Sequence, residues 1–152
     1  MIIGEDCKNV ALDEALSKIG WYAVANDVSA RWWQKVGSGG QFCRGKSFDT
    51  FCPMSEPVEA RKVPEPQNLR IVTKVNGVQM QDGRTAQMIF PVRQIVSELS
   101  QGQTLKAGSI ILTGTPSGVG DARKPPVYLK NGDIVEIEIP GVGLLKNNVI
   151  EE

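Results

Sequence analysis

The sequence contains no histidine among its 152 residues. Histidine is the most common general base in enzymes and a frequent metal ligand, so its absence excludes histidine-based catalytic triads and histidine-ligated metals within this chain. Any catalysis must therefore depend on carboxylates, lysine, hydroxyl groups, backbone amides or a hard metal ion.

Cysteine is also scarce, with only Cys7, Cys43 and Cys52 in the chain. Three cysteines cannot all pair with one another, and none stands in the C-x-x-C spacing of a zinc site. We expect reduced thiols in an intracellular protein.

The chain has neither an excess of one charge nor a long hydrophobic run. Seventeen Lys and Arg residues balance seventeen Asp and Glu residues. A general binder of nucleic acid or of a membrane surface would need surplus positive charge. No apolar run approaches the roughly 20 residues that span a bilayer. We therefore expect neither nucleic acid nor membrane as a partner.

The sequence does contain two apolar patterns with the spacing of a helix. The first predicts a helix near residues 10–19, with Asn9 as its cap and Gly20 at its end. Its apolar positions are Leu12, Ala15, Leu16 and Ile19. The second predicts a helix near residues 92–100 that opens at Pro91. Its apolar positions are Val92, Ile95, Val96 and Leu99.

Strand patterns dominate the remainder of the chain. Asn76-Gly77 lies between two strand-like runs, and this pair predicts a β-hairpin because both residues tolerate positive φ. Further strands are predicted at Trp21–Ala25, Ser109–Thr113, Ile134–Ile139 and Leu144–Val149. These patterns predict one domain over residues 1–152, mainly β (α+β), with two short helices.

Asp27 follows a predicted buried strand directly, and a carboxylate in that place is costly to bury unless a cation or several donors meet it. It could be a ligand for a hard divalent ion, which prefers oxygen donors. It could equally cap the following turn through its side chain. The residues alone leave both interpretations open.

Lys46 stands beside Gly45 and between the aromatic residues Phe42 and Phe48. A lysine held there could neutralise a substrate carboxylate or an enolate oxygen. The segment Gly40–Ser47 also satisfies the pattern of a phosphate-binding P-loop. Such a loop requires a preceding strand and a following helix, whereas a Gly/Ser-rich loop and Phe51-Cys52-Pro53 flank this segment, so we treat the match as accidental.

Leu112–Gly120 reads as a strand that runs into a glycine-rich loop. Backbone N–H groups and hydroxyls in such a loop can hold an anion, but a plain tight turn has the same composition. The pattern by itself does not choose between the two.

Each of these signals is weak alone, but the residues of four segments and their order along the chain are specific in combination. They are Asn26–Arg31, Gly45–Pro53, Leu112–Gly120 and Asn131–Gly143. Together they resemble the fumarylacetoacetate hydrolase family, and the resemblance covers essentially the whole chain. Lys124–Lys130 resembles one branch of that family in particular.

The resemblance implies a β-rich fold that binds Mg²⁺ or Ca²⁺ and acts on small β-oxo or acylpyruvate-type acids. The expected reaction is hydrolysis of a C–C bond, with oxaloacetate keto–enol tautomerisation or decarboxylation as alternatives. By the same resemblance Asp27 is the metal ligand and Lys46 the catalytic residue. The residues implied on the substrate side are Arg31, Gln34, Thr50 (beside the metal) and Thr115. It further implies a homodimer in mitochondria or cytoplasm.

The sequence departs from the family at two places. Trp32 stands where the family usually has Asp, which could disturb the groups that hold Arg31 or Asp27. Family members also carry a metal-binding Glu-x-Glu pair before a segment resembling Ile2-Ile3-Gly4, and a lid with His and Glu further upstream. We therefore expect residues 1–152 to be the C-terminal catalytic domain without those parts, to bind Mg²⁺ weakly and to turn over little. A catalytically inactive family member is the alternative.

Overall fold

Seven strands form two antiparallel sheets in the computed structural model, which describes residues 1–151. The three-stranded sheet has the order β1-β2-β3, comprising Ile2–Ile3, Ile19–Tyr22 and Val58–Glu59. The four-stranded sheet has the order β5-β4-β6-β7. Its strands are β4 (Arg70–Val75), β5 (Val78–Arg84), β6 (Ile134–Ile139) and β7 (Gly143–Asn148). The mainly β prediction is confirmed.

The hairpin between β4 and β5 turns at Asn76-Gly77, as predicted. Both residues have positive φ, 52° and 79°, which is the backbone that a type I′ turn requires. The Asn76 side chain also accepts a hydrogen bond from Ile134 N at 2.8 Å and donates one to Asp133 Oδ1 at 2.8 Å. The turn is therefore tied to the start of the neighbouring strand β6.

The two predicted helices differ in outcome. Helix α1 spans Val92–Leu99, close to the prediction, and buries Val92 and Val96. Near residues 10–19 the chain forms only a 3-10 helix, Ala15–Lys18. The side chain of Asn9 accepts a hydrogen bond from Gly102 N at 2.9 Å rather than capping a helix. None of the helices in residues 1–151 has the length and apolar composition needed to cross a membrane.

Two predicted strands are shorter than expected. The chain leaves the sheet after Tyr22, and of the segment 109–113 only Ile110 forms a bridge, to Ile2. For the segment 109–113 the reason is its partner β1, which has only two residues and offers few backbone groups for pairing.

The core consists of two clusters of buried apolar side chains. The first lies between α1 and the three-stranded sheet and comprises Ile3, Cys7, Val10, Ala15, Ile19, Val92 and Val96. The second lies against the four-stranded sheet and comprises Val24, Val63, Val135, Ile137, Val142 and Leu145. Tyr22 packs against both clusters and so connects them.

Candidate active site

Asp27 and Lys46 form an ion pair at the surface of the domain. Lys46 Nζ donates a hydrogen bond to Asp27 Oδ2 at 2.5 Å and a second to Ser29 Oγ at 3.0 Å. The two charged side chains are 30% and 43% exposed for Lys46 and Asp27 respectively. The cation that meets the Asp27 carboxylate within residues 1–151 is therefore the ammonium group of Lys46. Ser29, two residues beyond Asp27, is a contact that sequence reasoning missed.

A short antiparallel pairing brings these residues together. Asn26 N donates to Pro53 O at 3.0 Å and Ser55 N donates to Val24 O at 2.9 Å, so the ends of the segment 27–52 lie side by side. Lys46 then ends a 3-10 helix, Arg44–Lys46, which packs against the segment after Asp27. A Cβ atom at Gly45 would lie 2.9 Å from Gln34 N, so glycine permits this close approach.

Gly40–Ser47 runs through turns and this 3-10 helix. It lacks the strand–loop–helix context of a phosphate-binding loop. The interpretation of that match as accidental is consistent with the structure.

Arg31 and Gln34 lie together on a helical segment that continues as a π-helix, Trp33–Gly37. Arg31 Nη1 donates a hydrogen bond to Gln34 Oε1, and Gln34 is buried at 5% exposure. Such π-helical turns occur frequently at functional sites. Trp32 is 61% exposed and packs edge-on against Trp33 with ring centroids 5.0 Å apart.

Asp121, which the sequence analysis did not single out, contacts this helical segment from a distant part of the chain. Its Oδ2 accepts a hydrogen bond from Lys35 Nζ at 2.7 Å and lies 3.8 Å from Arg31 Nε. Its Oδ1 accepts a hydrogen bond from Tyr128 OH at 2.9 Å. Hydrogen bonds from Lys35 and Tyr128 hold the pKa of the Asp121 carboxyl below its usual range. The available signal was a carboxylate immediately after the glycine-rich loop.

The glycine-rich loop packs closely on β5. Gln81 Nε2 donates hydrogen bonds to Thr115 Oγ1 at 2.8 Å and to Pro116 O at 2.7 Å. A Cβ atom at Gly118 would lie 2.2 Å from Met80 O, so only glycine allows the two backbones to approach so closely. The loop is thus held by specific contacts to a strand, which a free surface turn would not have.

Thr115 lines a cavity of about 550 Å³ together with other hydroxyl and apolar side chains, including Thr113, Ser117, Phe90 and Ile95. Neither Asp27 nor Lys46 lines this cavity. The structure therefore joins Asp27 to Lys46 and Arg31 to Gln34. That Thr115 shares one substrate with them stays a prediction.

Thr50 lies in a strained part of the loop that leads back to Pro53. Its φ is 63°, a conformation that is rare for a β-branched residue and that persists only where the surrounding structure enforces it. Such strain concentrates at functional sites. Its role beside a metal stays a prediction.

Asp27 fits a hard metal ion as a single ligand. Within residues 1–151 its second oxygen, Oδ1, has no hydrogen-bond partner, and carboxylate oxygen is the donor type that Mg²⁺ and Ca²⁺ prefer. Across the same residues, no three His, Cys, Asp or Glu side chains converge as a set that could hold a metal. The described residues thus provide one carboxylate and leave the other coordination positions open.

Known proteins of one family match almost the whole chain. Residues 1–150 match the family described as fumarylacetoacetate (FAA) hydrolase, C-terminal. The chain belongs to the fumarylacetoacetate hydrolase family. It is 44% identical over 151 residues to the bovine protein named oxaloacetate tautomerase FAHD2A, mitochondrial, which is a representative of the branch that Lys124–Lys130 resembles. It is 45% identical to 2,4-didehydro-3-deoxy-L-rhamnonate hydrolase of Sphingomonas sp. (strain SKA58).

A solved fumarylacetoacetate hydrolase from Exiguobacterium antarcticum superposes with a TM-score of 0.94 at 42% identity, covering 99% of this chain and 54% of that one. The bovine and Sphingomonas proteins are likewise matched over 99% of this chain, and over 48% and 53% of their own lengths. The chain therefore spans about half the length of the family members it matches.

Proposed function

We propose that this protein is a metal-dependent enzyme that acts on small β-oxo or acylpyruvate-type acids, by hydrolysis of a C–C bond next to a carbonyl. The observation that supports this most directly is the Asp27–Lys46 ion pair, with Ser29 hydrogen-bonded to the same ammonium group. The pair places a cation and a hard oxygen donor side by side where both are partly exposed to solvent.

Arg31, Lys46 and Asp27 each have a defined task in this proposal. The guanidinium of Arg31 binds the substrate carboxylate, for which its planar donors are well suited. The ammonium of Lys46 stabilises the negative charge that develops on the enolate oxygen. Asp27 would hold a Mg²⁺ or Ca²⁺ ion, which when bound would provide Lewis-acid chemistry for the oxo-acid. Because the described residues offer it one carboxylate, we expect the ion to bind weakly.

Oxaloacetate keto–enol tautomerisation is the second candidate, and it has support of similar strength. The bovine relative is named an oxaloacetate tautomerase, and the Sphingomonas relative is named a hydrolase. Both reactions pass through an enolate, so the same lysine serves either. Decarboxylation of oxaloacetate is a further alternative of the same chemistry, and a catalytically inactive member of the family is the remaining one.

A carboxylate-to-amide exchange tests the proposed function. The protein is assayed in millimolar Mg²⁺ for ketonisation of oxaloacetate enol and for hydrolysis of an acylpyruvate, with Mg²⁺ binding followed by calorimetry. Asp27→Asn is expected to lose activity and Mg²⁺ affinity by roughly tenfold or more. Asp49→Asn removes an exposed carboxylate three residues beyond Lys46 in the sequence and is expected to match the wild type. A wild type inactive on both substrates, or an Asp27→Asn variant as active as the wild type, contradicts the proposal.

The oligomeric state and the compartment also stay predictions. The expected homodimer would bind one small oxo-acid in each copy. The word mitochondrial in the names of the bovine relatives supports a mitochondrial location over a cytoplasmic one.

A further inference from the structure

The Asp121 carboxylate, which lies outside the four segments that resemble the family, contacts three side chains from two other parts of the chain. They are Arg31, Lys35 and Tyr128. Asp121 lies on the 3-10 helix Gly120–Ala122, whereas Arg31 and Lys35 lie on the helical segment that follows Asp27. The Asp121 side chain is only 19% exposed, and both of its oxygens are engaged. Lys35 is 58% exposed, but one hydrogen bond to each oxygen defines the orientation of the Asp121 carboxylate, unlike that of most exposed charged groups.

The contacts of the Arg31 guanidinium show what this carboxylate does. Its Nη1 donates to Gln34 Oε1, and its Nε faces Asp121 Oδ2 at 3.8 Å. Within residues 1–151, Nη2 makes no hydrogen bond, so it stays available to an incoming carboxylate. The buried Gln34 and the fixed Asp121 thus hold the guanidinium from two sides and leave one edge open.

We infer that Asp121 is a positioning residue, which holds Arg31 in the orientation that binds the carboxylate of the oxo-acid substrate. The inference rests on the proposed function for the identity of the substrate. It adds to that function a residue, next in the chain after the glycine-rich loop, that raises substrate affinity by orienting Arg31.

The hydrogen bond from Tyr128 is the third contact that fixes the position of Asp121. Tyr128 OH donates to Asp121 Oδ1 and thereby fixes the plane of the carboxylate, while Lys35 occupies Oδ2. Without Asp121, Arg31 and Lys35 would be two like charges four residues apart on one helical face, which repel each other. Only Gln34 would then restrain the guanidinium.

If Asp121 acted only through its charge, its neutralisation would have the opposite effect on substrate binding, so a charge effect and a positioning role can be distinguished. If Asp121 merely reduced the positive charge near the site, its neutralisation would strengthen the binding of an anionic substrate. If Asp121 positions Arg31, the same change weakens binding, because a displaced guanidinium no longer meets the carboxylate in the right geometry.

The test compares Asp121→Asn with Asp121→Glu and with a matched control. Asp121→Asn keeps the shape of the side chain and is expected to raise KM for oxaloacetate about tenfold while kcat changes less than about twofold. Asp121→Glu, which retains the charge, is expected to recover part of that loss. Glu136→Gln neutralises a comparable carboxylate paired with Lys146 on β6 and β7, at 3.0 Å, and is expected to change neither constant. An Asp121→Asn variant with unchanged or lower KM overturns the inference.

A second measurement does not depend on turnover. The Nε–Hε resonance of Arg31, assigned by its loss in Arg31→Lys, is followed by NMR for chemical shift and hydrogen exchange. Asp121→Asn is expected to shift it and accelerate its exchange, whereas Glu136→Gln leaves it unchanged. If the wild type proves inactive on every oxo-acid tried, the proposed function fails, and this resonance still decides whether Asp121 positions Arg31. An unchanged resonance overturns the inference.

Discussion

At the scale of the residue, the charge of Lys46 is expected to matter more than its length. Its ammonium group contacts Asp27 and Ser29 and is the proposed stabiliser of the enolate. Lys46→Met keeps the aliphatic stem and removes the charge. We expect kcat for oxo-acid turnover to fall about a hundredfold, in line with the loss of one preorganised charge stabiliser, with the circular dichroism spectrum unchanged. Lys46→Arg, which retains a cation, is expected to lose less. Equal kcat in Lys46→Met and the wild type would exclude the role proposed for this residue.

At the scale of the element, the contact between the glycine-rich loop and β5 is expected to depend on Gly118. This residue has φ 109°, and its added Cβ would lie 2.2 Å from Met80 O. Gly114 has φ 90° with open space around it, so Gly114→Ala measures the conformational cost alone, about 1–3 kcal/mol. Gly118→Ala must also displace a strand backbone and is expected to reduce the free energy of unfolding by at least about 1 kcal/mol more. Urea titration of both variants measures the difference, and equal losses would show that the loop does not need this close approach.

At the scale of the whole molecule, Tyr22 connects the two hydrophobic clusters, and burial raises the pKa of its phenol to about 12, above the ordinary value of 10.0. The folded state therefore keeps the proton more tightly than the unfolded state. This contribution to stability is complete below pH 10 and is lost as the pH rises towards about 12. Tyr22→Phe keeps the ring and removes the titration. Urea unfolding at neutral pH and at about pH 11 is expected to show a smaller alkaline loss for Tyr22→Phe than for the wild type. Parallel losses in the two proteins would assign the alkaline instability to other groups.

Local chemistry is sufficient where a few adjacent residues determine the backbone. The sequence determined the mainly β class, the hairpin at Asn76-Gly77 and the helix Val92–Leu99, because turn residues and apolar periodicity act over one or two turns of chain. It also determined the family, since the residues of four segments match the family in the same order. The helix predicted near residues 10–19 depended on a local cap that did not form, because the Asn9 side chain accepts a hydrogen bond from Gly102 N, more than ninety residues away.

The side-chain arrangement of the site was decided by the tertiary structure alone. Asp27 reaches Lys46 because Ala25 pairs with Met54 and because Gly45 lets the intervening turn press against Gln34. Asp121 meets Lys35 across 86 residues of sequence. No local pattern encodes such contacts, since they depend on how segments far apart in the sequence are brought together and how closely their backbones approach. For that reason residue identities were sufficient to name the family, and only the fold brought Asp121 to Arg31.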